Sequence, residues 1–383
     1  MAAAPPAPTP PRQQSSSAPG ADPDVVTMIL YGDYKLAQGA GPMRRARYRV
    51  LRDYETGNCI PLGNGRFSRV FEAAWIDEDG VNKLTPPTTP TKSLHANHNK
   101  KPEDPFNSSE PEHTFAVKVA ASPNDRRVMR AEAGILTQLR WKDNDWPKYI
   151  LGFHGVNIDR GCLLLTRYPT NLEHYIRWVL GALSPTKKEE AIRDLFPCLA
   201  RELCQGLAWL HAVGEVCVHG DIKPANILLE PRTPRAQPAF PYYCRYADFS
   251  AATLLKHNFG GHVGGATWEY MSPEMFANPP PRPSTSADVF SLGMLFLNFI
   301  ACGRSPYEMA SNRYQKFEMA KRGTPISFLL NDPADLTFGR NWHALTPVVK
   351  GVVESCVRQQ PAERPTAAAL GAVGASWSEE PQI

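Results

Sequence analysis

The chain has 383 residues, with 42 Lys plus Arg against 38 Asp plus Glu and a formal charge of +4. That length accommodates one large catalytic domain or two ordinary domains with a sizeable core, and the small, dispersed charge excludes a basic nucleic-acid-binding block, so no nucleic-acid partner is expected. The eight cysteines, at 59, 162, 198, 204, 217, 244, 302 and 356, show no paired CxxC spacing and read as reduced thiols rather than a disulfide framework or zinc cluster. The longest nearly apolar stretch, LGMLFLNFIACG at 292–303, is broken by Asn298 and is shorter than the roughly 20 residues of a bilayer span. No transmembrane segment is expected, and the location expected is intracellular, cytoplasmic or nuclear.

Residues 1–24 are rich in Ala, Pro, Ser and Gln and offer little apolar surface to offset ordering entropy, so they read as a disordered tail. They lack the basic start and continuous apolar run of a secretory signal. IPLGNGRFSRVFEAAW at 60–75 reads as strand, glycine-rich turn, strand. Gly63 and Gly65 allow backbone to approach a polyphosphate, Phe67 is placed to fold over the loop and Val70 to meet an adenine face, although an ordinary hairpin uses two such glycines as well. A Pro-, Ser- and Asn-rich segment at about 76–112 reads as a long surface insertion in a sheet, tolerated because closure entropy rises slowly with length.

TFAVKVA at 114–120 is a strand in which Lys118 lies on the face opposite Val117 and Val119. A lysine in that setting calls for a carboxylate or phosphate partner. The next segment, DRRVMRAEAGILTQLR at 125–140, has Val128, Ala131, Ile135, Leu136 and Leu139 at helical spacing, with Glu132 along the same helix and within reach of Lys118. Farther on, Leu195, Leu199, Leu203, Leu207 and Leu210 mark a long core helix over 187–211.

VHGDIKPANILL at 218–229 then presents Asp221, Lys223 and Asn226 on a loop between ordered elements. A carboxylate near an attacking hydroxyl, a cation near moving charge and an amide oxygen for a divalent metal are what phosphoryl transfer requires. A polar surface turn before a buried strand is the other reading of that segment alone. EPRTPRAQPAFP at 230–241 is a shorter insertion, and YADFS at 246–250 adds an acid, Asp248, at a strand end.

Together these segments resemble the eukaryotic-type serine/threonine protein kinase family over roughly residues 48–368. The resemblance implies an α+β, bilobal protein kinase-like fold, with a small, mainly antiparallel-sheet N-lobe and hinge over 48–168 and a larger helical C-lobe over 169–368; residues 369–383 form a short tail. ATP is expected between the lobes with Mg2+ or Mn2+. The phosphate loop would be Leu62, Gly63, Asn64, Gly65, Phe67 and Ser68, with Val70, Ala116 and Lys118 completing that side of the nucleotide site. LLLTRYP at 163–169 resembles the last sheet strand and hinge, with Thr166 bordering the back of the adenine pocket and Arg167, Tyr168 and Pro169 facing the purine. Lys118 and Glu132 would form the phosphate-positioning pair, Asp221 would orient and deprotonate the acceptor hydroxyl, Lys223 would stabilise the γ-phosphate, and Asn226 with Asp248 would hold metal. His219 would brace backbone and Phe249 would pack behind Asp248. GGATWEYMSPEMF at 264–276 resembles the end of an activation segment, with Thr267 bridging Asp221 and Lys223. Glu274 would pair with Arg364, and Asp288 would anchor the catalytic loop.

Three positions depart from the family pattern. Gly220 stands where an arginine commonly precedes the catalytic aspartate, Ser250 replaces the glycine after the metal aspartate, and Ser68 replaces the third loop glycine. The missing guanidinium removes five fixed donors from the obvious receptor for an activation-loop phosphate; Lys256, His257 and His262 are unspecific substitutes. The reading that follows is phosphoryl transfer to Ser or Thr of protein substrates. A pseudokinase or nucleotide-regulated scaffold is the alternative, and a kinase for small molecules or lipids is a third reading. Thr9, Thr85 and Thr89 each precede proline in exposed-type sequence, where phosphate or a regulatory partner of the tail or insertion would act.

Overall fold

The first strand is specified by VVTMIL: Val26 and Met28 are buried while Thr27 between them is exposed, the period-two pattern of a half-buried strand. This strand, β1 (Val25–Leu30), is followed by β2 (Arg44–Val50), β3 (Pro61–Asn64), β4 (Ser68–Ile76), β5 (Asn82–Lys83), β6 (Phe115–Ala120), β7 (Phe153–Asn157) and β8 (Cys162–Thr166). The computed structural model describes residues 22–30, 44–76, 82–83, 115–143, 145–213, 216–232, 239–256, 259–260, 266–333 and 336–376. Most of the tail, most of the 76–112 insertion, and Thr9, Thr85, Thr89, His257 and His262 lie outside the described residues.

Every pairing in this sheet is antiparallel, and the ladder closes on itself: β1 pairs β2, β2 pairs β4, β4 pairs β6, β6 pairs β8, β8 pairs β7, and β7 returns to β1. Closure removes the two edges that an open sheet would expose. Where the short β1–β7 ladder stops, Asn157 Nδ2 donates to the Thr27 carbonyl at 2.6 Å and Arg160 Nη1 to that of Val25 at 3.1 Å. The barrel interior is a core of its own, with Val26, Met28, Ala46, Tyr48, Ala73, Phe115, Val117, Cys162 and Leu164. Long β4 is shared lengthwise, its Ala73–Ile76 half pairing β2 and its Arg69–Phe71 part pairing β3. The sheet therefore reaches back to Val25, ahead of the residue 48 expected as its start.

The opposite face of β6 and β8, with Ala116, Leu163 and Leu165, joins the main core and meets helix α1 (Arg126–Lys142). On α1 the buried stripe is Val128, Met129, Glu132, Ala133, Ile135, Leu136, Thr137 and Leu139, so Glu132 lies on the apolar face and Ala133 takes the place expected for Ala131. Arg140 and Lys142 in its last turn oppose the negative end of the helix dipole.

The second lobe is mostly helical. A short turn, α2 (Leu172–His174), leads into a six-residue π-helical stretch, and α3 (Pro185–Ala212) starts with Pro185 in its first turn, where a missing N–H costs nothing. Its buried stripe is Ile192, Phe196, Leu199, Leu203, Leu207 and Leu210; Leu195 is only partly covered. Helix α4 (Thr285–Ile300) is apolar almost all round, as a helix in the centre of a core must be, and Ser284 Oγ caps it by accepting from the Ala287 N–H at 3.2 Å. Small helices α5 to α8 (Arg313–Arg322, Pro325–Leu330, Thr337–Ala344 and Pro347–Cys356) complete this lobe. The last helix, α9 (Ala367–Ser376), packs Ala367 and Leu370 into the main core, so ordered structure continues past residue 368.

Candidate active site

The glycine turn is closed by the Gly65 N–H donating to the Ser68 carbonyl at 2.8 Å, and β4 then pairs Val70 with Lys118 on β6. Lys118 is nearly fully buried. Its Nζ donates to both carboxylate oxygens of Glu132, at 2.8 and 2.7 Å, and to Asp248 Oδ1 at 2.8 Å. Burial alone would lower the Lys118 pKa, but the Asp248 and Glu132 carboxylates outweigh it and hold the ammonium above the ordinary lysine value. Burial opposes ionisation of Asp248 too, and the Lys118 charge and hydrogen bond carry its carboxyl well below the usual range. Glu132 is pushed up by burial, with Lys118 opposing. It also accepts the Phe249 N–H at 3.2 Å, which ties α1 to the turn after Asp248.

Asp221 is gripped on both oxygens. Oδ1 accepts the Thr267 N–H at 2.8 Å, while Oδ2 accepts Asn226 Nδ2 at 2.9 Å and faces Lys223 Nζ at 2.8 Å. Lys223 Nζ reaches Thr267 Oγ1 at 2.6 Å, so Thr267 spans the acid and the lysine as the resemblance implies. Asn226 Nδ2 also donates to the Asp221 carbonyl at 2.8 Å. With its nitrogen so committed, the amide presents its oxygen as the remaining ligand atom.

The supports come together as well. Asp288 accepts the backbone N–H of His219 at 2.7 Å and of Gly220 at 2.9 Å. His219 Nε2 lies 3.0 Å from the Ala247 carbonyl and its Nδ1 accepts the Asp221 N–H at 3.3 Å, which assigns the proton to Nε2 and makes the ring a brace. Phe249 is fully buried against His219, with ring centroids 4.9 Å apart. Arg364 binds Glu274 through two parallel bonds of 2.7 Å.

Between the lobes lies a cavity of about 440 Å3. Leu62, Gly63, Asn64, Gly65, Ser68 and Val70 line one side; Ala116, Lys118 and Glu132 lie behind them; Thr166, Arg167, Tyr168 and Pro169 form the connecting segment; Lys223, Asn226 and Asp248 face the opening. Of the residues expected around the nucleotide, Phe67 alone is missing from this lining; the Arg66 guanidinium lies over its ring, 5.1 Å from the centroid, and the Phe67 carbonyl accepts the Ala121 N–H at 2.9 Å. Thr166 borders the cavity as the resemblance implies, and its hydroxyl meets His154 Nε2 at 2.7 Å. The β6–β8 register puts Leu165 opposite Ala116 and Thr166 opposite Phe115, so Leu165 forms the back of the pocket.

Leu151, Leu165, Leu228 and Ala247 are apolar wall residues that the sequence reading did not single out. Only the period-two alternation of LLLT, set in the β6 register, distinguishes Leu165 from its neighbour. A second cavity of about 380 Å3 shares Glu173, Lys223 and Ala225 with the first and has Thr267, Glu269, Tyr270 and Pro306 among its other walls. As donors, a carboxylate at Asp248 and an amide oxygen at Asn226 fit a hard cation such as Mg2+ or Mn2+ that draws its other ligands from phosphate and water.

The sequence model of the protein kinase domain matches residues 108–375, more than half of the chain. The protein belongs to the protein kinase family. Among individual relatives, it is 27% identical over 220 residues to human receptor-interacting serine/threonine-protein kinase 3, covering 54% of this chain and 36% of that protein. It is 34% identical over 174 residues to the probable serine/threonine-protein kinase PkwA of Thermomonospora curvata, covering 45% and 19% respectively. With mouse serine/threonine-protein kinase WNK3 the identity is 30% over 165 residues, covering 43% of this chain and 8% of the other. The chain thus aligns with 36% or less of the length of these relatives. Among the described residues no helix is long and apolar enough to cross a membrane.

Proposed function

We propose that the protein transfers the γ-phosphoryl group of ATP to Ser or Thr hydroxyls of protein substrates. The observation that carries this reading is the double grip on Asp221, which holds one carboxylate against the Thr267 backbone and against Lys223, a residue that lines both cavities. The larger cavity accepts the nucleotide and the smaller one admits the hydroxyl of a polypeptide.

Lys118, fixed by Glu132, positions the α- and β-phosphates. Asp221 orients the attacking hydroxyl and receives its proton late in transfer, when the oxygen has become acidic. Lys223 meets the charge that spreads over the transferring group, and Thr267 keeps lysine and acid from drifting apart. Asn226 and Asp248 would hold the divalent metal, which when bound neutralises phosphate charge. Leu165, Val70, Ala116 and Leu228 exclude water around the purine.

Incubation of the full chain with labelled ATP, Mg2+ and a mixed protein and peptide panel tests the proposal. Label in phosphoserine or phosphothreonine is expected. Metal-dependent nucleotide binding with no transfer to any acceptor, itself included, would instead assign a nucleotide-regulated scaffold, and transfer only to lipids or free sugars would exclude the protein substrate.

A further inference from the structure

Gly220 is partly buried, in a place where an added Cβ would crowd its neighbour. Its φ is 78°, in the left-handed region that L side chains rarely adopt, and a Cβ built on it would sit 2.8 Å from the Ala251 carbonyl oxygen. Ala251 ends the tight turn Phe249–Ala251 that begins immediately after Asp248, and Asp248 itself has φ 61°. The loop carrying Asp221 and the turn carrying Asp248 therefore approach backbone to backbone here, as they do again where the Ala247 N–H donates to the Asn226 carbonyl at 2.9 Å. From behind, Asp288 holds the Gly220 N–H at 2.9 Å and the His219 N–H at 2.7 Å, so the loop cannot retreat to make space.

We infer that Gly220 is a positioning residue: the absence of a side chain lets the loop nest against Ala251 and so sets the separation of Asp221 from Asp248, the two carboxylates of the transfer site. This rests on the transfer reading above. It also gives the departure at 220 a second meaning. The position loses a guanidinium and, in the same substitution, gains room for the Ala251 carbonyl. Register between the proton-accepting and metal-binding halves is thereby fixed by covalent geometry and by Asp288, rather than by a charge placed on the activation segment.

The test compares wild type, G220A, G220R, A251G and the double variant G220A/A251G as full chains, reading kcat, KM for ATP and the melting temperature. G220A is expected to lower kcat about tenfold while KM for ATP moves by less than about threefold. A251G, by loosening the turn that the new Cβ strikes, should restore a substantial part of that kcat in the double variant, an effect that loss of stability alone does not predict. G220R should be no better than G220A, whether or not the protein has been treated with a phosphatase. Wild-type kcat in G220A, or a fall in kcat that A251G does not relieve and that only tracks melting temperature, would overturn the inference. Absence of transfer by the wild-type chain would refute the transfer reading itself, a distinct result.

Discussion

Lys118 Nζ and Asp248 Oδ1 lie 2.8 Å apart, joining the β6 strand of one lobe to the turn that follows the sheet of the other. The same ammonium holds Glu132, so one buried cation gathers three elements: strand β6, helix α1 and the turn that Asp248 opens. Removing that charge leaves two carboxylates without their partner in a largely dehydrated site. K118M is expected to lose most nucleotide affinity and to destabilise the fold by roughly 3–5 kcal/mol, the usual cost of breaking a buried pair from one side. K118R, which keeps the charge, should lose affinity with a smaller drop in melting temperature. Calorimetric nucleotide titration beside thermal melts separates the two; a K118M chain that binds ATP as the wild type does would remove Lys118 from the phosphate site.

The grip of Thr267 predicts a graded response. Its backbone N–H holds Asp221 and its hydroxyl holds Lys223, and T267A deletes only the second. T267S should retain near wild-type kcat, whereas T267A should fall about tenfold or more with little change in KM for ATP, because the loss concerns positioning at the acceptor side. Equal activity of T267A and T267S would show that the hydroxyl is idle.

Glu274 and Arg364 give a pH-dependent stability. Arg364 has no side-chain exposure and Glu274 is only partly exposed. Burial raises the Glu274 pKa, but the hydrogen bonds and charge of Arg364 outweigh it and leave the carboxyl below its ordinary value. A carboxyl depressed in the folded state binds fewer protons there than in the unfolded chain. Its contribution is therefore complete above the unfolded carboxylate pKa of about 4.3 and is lost as pH falls through the lower folded value. E274Q should melt well below wild type at pH 7, and the gap should narrow below about pH 4. A gap that stays constant from pH 7 into acid would mean the pair contributes shape and not charge.

The barrel makes the N-terminal strand part of the nucleotide lobe. Met28 is fully buried with Val117, the neighbour of Lys118 on β6, in one core. M28A should cost about 2–5 kcal/mol, while T27A on the exposed face should stay within about 0.5 kcal/mol. Chemical denaturation of the two variants checks this. Equal, near-zero effects would show that β1 does not close the sheet.

Much of the site could be read from the order of its letters. Lys118, Glu132, Asp221, Asn226 and Asp248 occur in segments whose local pattern announces strand, helix or loop, and their meeting follows from that order. Thr166 is legible as a cavity residue but Leu165 beside it is not, because which of two adjacent residues turns its side chain to a pocket is decided by register against another strand, here Ala116 opposite Leu165. The same applies to β1. VVTMIL alternates correctly, but the strands it joins lie far along the chain, β7 more than a hundred residues away, and barrel closure is a property of the whole ladder.

The most direct test is a side-by-side measurement of phosphoryl transfer and nucleotide affinity in wild type, D221N and D248N. Wild type should transfer phosphate to Ser or Thr; D221N should bind ATP with Mg2+ about as tightly but lose at least about a hundredfold in kcat; D248N should lose metal-dependent affinity as well. Equal transfer rates in all three proteins would contradict the assignment of Asp221 and Asp248 to the chemistry.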